Sequence, residues 1–114
     1  MENIYTLARG GRARLFGFKE ETDGITICTG KNFCTVEFFT NGELEEILNH
    51  FQGKGWFPLN NDQTGKDLKE NGLGAFFKDT LKKVPKYASH IAAYLVKKGK
   101  LHYRDDYGFL EFKV

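Results

Sequence analysis

The basic residues of this chain are concentrated in a stretch that contains no acidic residue. Between residues 80 and 104 lie seven positive side chains: Lys82, Lys83, Lys86, Lys97, Lys98, Lys100 and Arg104. The whole chain of 114 residues has 17 Lys and Arg against 15 Asp and Glu, a formal net charge of +2. Charge is therefore strongly polarised along the sequence. Because lysine and arginine neutralise phosphate groups, the stretch predicts contact with a polyanion.

A helix predicted over residues 86–98 divides this stretch into two faces. At 100° per residue its apolar face contains Val84, Ala88, Ile91, Ala92 and Leu95. Its small polar face contains Lys86, Ser89, His90, Ala93 and Lys97. On a solvent-exposed helix, Ser89 and His90 could contact base edges, and Ala93 would permit close approach to a groove. We expect phosphate contacts from the remaining cations, namely Lys82, Lys83, Lys100 and Arg104.

The order of predicted elements carries a family resemblance. From residue 43 onward the chain predicts a helix, a short strand, two helices separated by Val84-Pro85, and a hairpin. This order, with its charge, resembles the winged-helix DNA-binding family over residues 43–114. The resemblance implies duplex DNA as the partner, DNA rather than RNA, and a possible homodimer, because helix-turn-helix proteins often bind paired half-sites. The long glycine-rich stretch over residues 53–74 departs from a compact winged helix.

A second basic cluster supports an alternative interpretation. Arg9, Arg12 and Arg14 surround Gly10-Gly11, and strand alternation places Arg12, Arg14, Phe16 and Phe18 on one face. Arginine beside aromatic rings suits single-stranded nucleic acid, whose bases stack on the rings. The competing interpretation makes Phe16 and Phe18 core residues. A third hypothesis is a protein-interaction module, in which the basic face meets an acidic partner without nucleic acid.

The sequence predicts no enzyme, no metal site and no cofactor. Ser89 is followed directly by His90, and neighbours on a helix point about 100° apart, so they do not form a nucleophile–base pair by sequence alone. The three histidines show no ligand spacing. Cys28 and Cys34 have no histidine nearby and fall short of the four ligands of a structural zinc site. They suit a reducing compartment.

Residues 1–40 predict a β-rich half. Strands are expected over residues 3–9 and 12–18 around Gly10-Gly11, and over residues 24–29 and 33–39 around Gly30-Lys31-Asn32. The chain then changes its period: Leu44, Ile47, Leu48 and Phe51 form one helical stripe, with Thr40 or Asn41 as the cap. The fold class predicted is α+β, an N-terminal antiparallel sheet followed by a winged-helix-like half over residues 41–114.

The length fits a single domain over residues 1–114. In the second half we expect an extended segment at residues 56–59, helices over 74–83 and 86–98, and a hairpin formed by residues 100–104 and 108–114. The sequence has no run of 18 apolar residues and no visible secretory signal, so a cytoplasmic location without membrane contact is predicted.

Overall fold

The computed structural model describes residues 1–7, 13–33, 35–59, 71–104 and 109–112. The fold is α+β, as predicted: an antiparallel sheet at the N-terminus, then helices and a small C-terminal sheet. One hydrophobic cluster runs through both halves, from Phe16 to Leu110. The helices therefore pack on the first sheet and share its core.

The first sheet is a four-stranded antiparallel meander. Its strands are β1 (Glu2–Tyr5), β2 (Leu15–Glu20), β3 (Gly24–Thr29) and β4 (Thr35–Thr40), and they lie side by side in chain order. The two predicted hairpins are therefore joined through β2 and β3, where Phe18 is opposite Ile27. The Gly10-Gly11 turn lies outside the described residues.

Strand alternation gives this sheet one buried and one uncovered face. Phe16, Phe18, Ile25, Ile27 and Phe39 point inward and are almost fully buried. Their neighbours point to the other side, where Tyr5, Leu15 and Val36 are exposed. The core therefore lies between this sheet and the helices.

Helix α1 (Asn41–Phe51) begins at a capping box that connects it to β4. The Glu43 amide donates to the Thr40 hydroxyl at 3.0 Å, and the Thr40 amide donates to the Glu43 carboxylate at 3.0 Å. Of the two predicted caps, Thr40 and Asn41, the structure uses Thr40, and two otherwise unpaired donors are satisfied. Ile47 and Phe51 are buried, as the predicted apolar stripe requires.

The second sheet has three short strands. They are β5 (Phe57–Pro58), β6 (Leu101–Arg104) and β7 (Phe109–Phe112), with β7 in the middle and antiparallel to both neighbours. The predicted C-terminal hairpin is therefore present. The Phe57 ring stacks on Phe51 with centroids 4.1 Å apart, which joins β5 to α1.

The segment predicted as one helix over residues 74–83 has two parts. Helix α2 (Leu73–Phe76) continues into a π-helical turn over Phe77–Leu81. Lys82 then adopts a left-handed conformation with φ of 57° and ends the turn before Pro85. Among the described residues, no helix is long and apolar enough to cross a membrane.

Helix α3 (Tyr87–Lys97) lies close to its predicted span, but its predicted solvent face is wrong. Nine of its 11 residues, those from 87 to 95, are buried. They include Ser89, His90 and Ala93. Phe16 and Phe18 contact His90 and Tyr94 from the first sheet, while α2 and β6 pack on the helix as well. Because several elements surround the helix, both predicted faces lie in the core between residues 87 and 95, whereas Val84, predicted on the apolar face, and Lys97, predicted on the polar face, are exposed.

Candidate nucleic-acid interface

Lys83, a predicted phosphate contact, is held by groups from β4 and α1. Its Nζ donates to the Phe38 carbonyl at 2.8 Å and lies 3.2 Å from a Glu37 carboxylate oxygen and 3.9 Å from one of Glu43. Its side chain is largely buried in this arrangement. Lys83 therefore ties the turn after α2 to the edge of the sheet.

The C-terminal end of α3 is also paired with acidic residues. Lys97 Nζ lies 3.4 Å from a Glu2 carboxylate oxygen, and Lys98 Nζ lies 3.4 Å from one of Glu20. Glu20 also accepts a hydrogen bond from the Tyr94 hydroxyl at 2.9 Å. Burial and this carboxylate raise the pKa of Tyr94 to about 12. Three lysines of the acid-free stretch, Lys83, Lys97 and Lys98, are thus paired with glutamates from distant parts of the chain.

The remaining predicted cations lie in three different surroundings. Lys82 is exposed after the π-helical turn. Arg104 lies over the Trp56 ring in the second sheet, 5.5 Å from its centroid. Lys100 lines a cleft of about 410 Å³ with Leu44, Glu45, Leu48, Tyr94 and others. With α3 buried along residues 87–95, the structure therefore does not present the DNA-binding surface that was predicted from this helix and the C-terminal hairpin.

The predicted single-strand face is also corrected. Phe16 and Phe18 are 0% and 2% exposed, so their rings belong to the core. Arg14 is exposed, whereas Arg12 lies outside the described residues. The competing interpretation of the two phenylalanines is therefore the correct one.

A second cleft brings Arg14 together with His90, one residue from each predicted site. It has a volume of about 380 Å³ and is lined by Arg14, Leu15, Thr29, Gly30, Lys31 and His90. None of these lining residues is acidic. The cleft lies where β2 begins and β3 ends, so residues from two strands, a turn and a helix meet there.

Local backbone geometry positions the two cations of this cleft. The Thr6 amide donates to the Arg14 carbonyl at 2.9 Å, and the Arg14 amide donates to the Thr6 hydroxyl at 2.9 Å. Lys31 follows Gly30, whose φ of 79° allows the chain to leave β3 sharply into a 3₁₀ turn. Arg14 and Lys31 are thus brought to the same end of the sheet.

His90 lines the cleft from the helical side. Its Nδ1 lies 3.1 Å from the Lys86 carbonyl, and its ring packs edge-on against Phe16 with centroids 4.8 Å apart. Burial, together with the positive charge of Lys86, lowers the pKa of His90 to about 4, against the raising effect of the hydrogen bond with the Lys86 carbonyl. His90 is therefore neutral near pH 7.

Lys86 adds a third cation near the same cleft. It lies one helical turn before His90, and its Nζ is 5.2 Å from the centroid of the Tyr87 ring. The N-terminal end of α3 carries a partial positive charge in addition. Lys86 therefore adds positive potential at His90, and Arg14 and Lys31 line the same cleft as His90.

Near the start of β2, the uncovered face of the first sheet exposes an aromatic ring. Tyr5 lies directly opposite Leu15 in the β1–β2 register, and the two side chains are 63% and 45% exposed. Leu15 also lines the cleft. The Tyr5 ring thus lies on the opposite face of the sheet from Phe16 and His90, next to the strand end that borders the cleft.

Sequence reasoning missed Lys31 and Tyr5. The sequence predicts Gly30-Lys31-Asn32 only as a turn, and nothing local links it to Arg14, which is 17 positions before Lys31. Alternation along β2 does place Leu15 opposite to Phe16. Strand alternation could therefore have predicted that Leu15 lies on the exposed face of the sheet.

Known proteins add nothing to this geometry, since no protein-family model, no curated protein and no solved structure matches the chain. In the described part of the chain, no three His, Cys, Asp or Glu side chains are grouped so that they could hold a metal ion.

Proposed function

We propose that this protein binds nucleic acid, and that it holds the phosphates of a single strand at the cleft between Arg14, Lys31 and His90. The observation that carries the proposal is that Arg14 and Lys31 line one cleft without an acidic lining residue, while the charge of Lys86 acts on His90 in the same cleft. A volume of about 380 Å³ suits a ligand of nucleotide size, since small-molecule sites measure roughly 300–1,000 Å³.

Two features favour a single strand over a duplex. Tyr5, which pairs with the lining residue Leu15, is exposed and offers a ring on which an unpaired base of a strand passing the edge of the sheet can stack. Helix α3, in contrast, is buried along residues 87–95. A buried helix does not present side chains to a major groove, so duplex recognition through α3 lacks its main element.

The proposal is tested by charge reversal at the cleft. We expect Arg14→Glu with Lys31→Glu to weaken binding of a single-stranded oligonucleotide by roughly tenfold or more, because two attractive phosphate contacts become repulsive. The slope of log affinity against log salt should fall by about 0.7 for each phosphate that is no longer neutralised. Fluorescence anisotropy at two or more salt concentrations measures both quantities.

Lys100→Glu with Arg104→Glu is the matched control, with an equal change in charge. If the cleft is the site, this control binds the single strand nearly as the wild type does. The proposal is contradicted if the control loses affinity while the cleft variant does not. That result would favour the winged-helix prediction, in which Lys100 and Arg104 contact phosphates. Duplex DNA as a competitor separates the two kinds of partner, and binding only to an acidic peptide would indicate the protein-interaction hypothesis.

A further inference from the structure

The cleft is lined by a largely buried histidine whose second ring nitrogen accepts no hydrogen bond from a described residue. His90 is 9% exposed and lines the cleft. Its Nδ1 faces the Lys86 carbonyl at 3.1 Å. A carbonyl oxygen only accepts, so Nδ1 carries the proton, and Nε2 of the neutral ring keeps its lone pair. Within the described residues, no hydrogen bond to Nε2 is present.

This arrangement separates two tasks within one cleft. Arg14 and Lys31 are donors and suit phosphate oxygens. The neutral imidazole carries no charge, and its Nε2 accepts one hydrogen bond. A ligand that excludes water from this acceptor without supplying a donor is bound more weakly, because the acceptor then has no partner. A ligand that covers the cleft is therefore bound best when it brings a donor to this position.

We propose that His90 Nε2 accepts a hydrogen bond from the nucleotide whose phosphate lies beside Arg14 and Lys31, the donor being a ribose 2′-hydroxyl or a base N–H. This inference rests on the proposed function and deepens it, because it makes His90 a specificity-determining residue. A nucleotide with a free donor at this position is preferred over one in which the donor is missing or methylated.

His90→Phe removes the acceptor with little change to its surroundings. The phenyl ring keeps the packing against Phe16. The Lys86 carbonyl loses the imidazole but still receives the Ser89 hydroxyl, whose oxygen is 3.0 Å away. His90→Gln is the companion variant, because its amide oxygen restores an acceptor close to the position of Nε2.

The test uses four uniform strands that differ by one donor at a time. They are oligouridine RNA, its 2′-O-methyl form, oligodeoxyuridine, and oligodeoxyuridine methylated at base N3. We expect His90→Phe to bind oligouridine roughly tenfold more weakly than the wild type, and His90→Gln to recover part of that affinity. Thermal unfolding of each variant establishes that it is folded.

The strands distinguish the two donor sources. If the 2′-hydroxyl is the donor, the effect of His90→Phe disappears on oligodeoxyuridine and on the 2′-O-methyl strand. If the base is the donor, the effect persists on oligodeoxyuridine and disappears on N3 methylation. The inference is overturned if folded His90→Phe binds all four strands as the wild type does. If the wild type binds no strand, the proposed function falls as well, which is a different result.

Discussion

Lys82 and Lys83 are adjacent residues of one type with opposite environments. Lys82 is exposed, whereas Lys83 is held by the Phe38 carbonyl and two carboxylates. A count of charges along the sequence treats the two alike and predicts both as phosphate contacts. Their difference arises from β4 and α1, which lie about 40 positions earlier and supply the acids. At the residue scale, the fold assigns one lysine to the structure and leaves the other to solvent.

We expect Lys83→Met to lower the free energy of unfolding by about 1–2 kcal/mol, because the Phe38 carbonyl and Glu37 lose their partner. Lys82→Met is the matched control and should change stability by less than about 0.5 kcal/mol, as exposed substitutions usually do. Urea denaturation of the two variants checks this. Equal stability of the two variants would contradict the structural role given to Lys83.

At the element scale, the sequence predicts where α3 lies but not what surrounds it. The lysines at positions 86, 97 and 98 mark its ends, and residues 87–96 contain no Lys, Arg, Asp or Glu. A helix without charge along its length is typical of a buried helix. The 100° pattern nevertheless predicts that Ser89, His90 and Ala93 face solvent, because small or polar residues do not mark a helix face as buried. Helix α1 is easier to predict, since its capping box and apolar stripe are local features.

Two glycines test how closely the elements approach each other. A Cβ at Gly24 would collide with the backbone carbonyl of Phe39 on the neighbouring strand, whereas one at Gly42 in α1 would make an ordinary contact. We expect Gly24→Ala to destabilise the protein by about 1–3 kcal/mol through overpacking. Gly42→Ala should be neutral or stabilise by about 0.5 kcal/mol, because alanine favours the helix. Thermal unfolding that ranks the two in the opposite order would contradict the β3–β4 register.

At the scale of the whole molecule, sequence patterns are enough to predict the α+β class and the order of the elements. They do not predict the candidate site, because it is assembled from distant positions. Arg14 immediately precedes β2, Lys31 follows β3 and His90 belongs to α3, and only the meander with the helix packed on it brings them together. The acids that pair with Lys83, Lys97 and Lys98 are equally remote in sequence. Long-range placement, and not local pattern, decides which cations are available to a ligand.

A nuclear magnetic resonance titration tests most directly whether a single strand occupies the cleft. Uniformly ¹⁵N-labelled protein would be titrated with a single-stranded oligonucleotide while backbone amide shifts are followed. We expect the largest changes at Leu15, Gly30 and Lys31, with His90 also affected, and little change at Lys100 and Arg104. Changes concentrated at Lys100 and Arg104, or no saturable change at the cleft, would show that the single strand does not bind there.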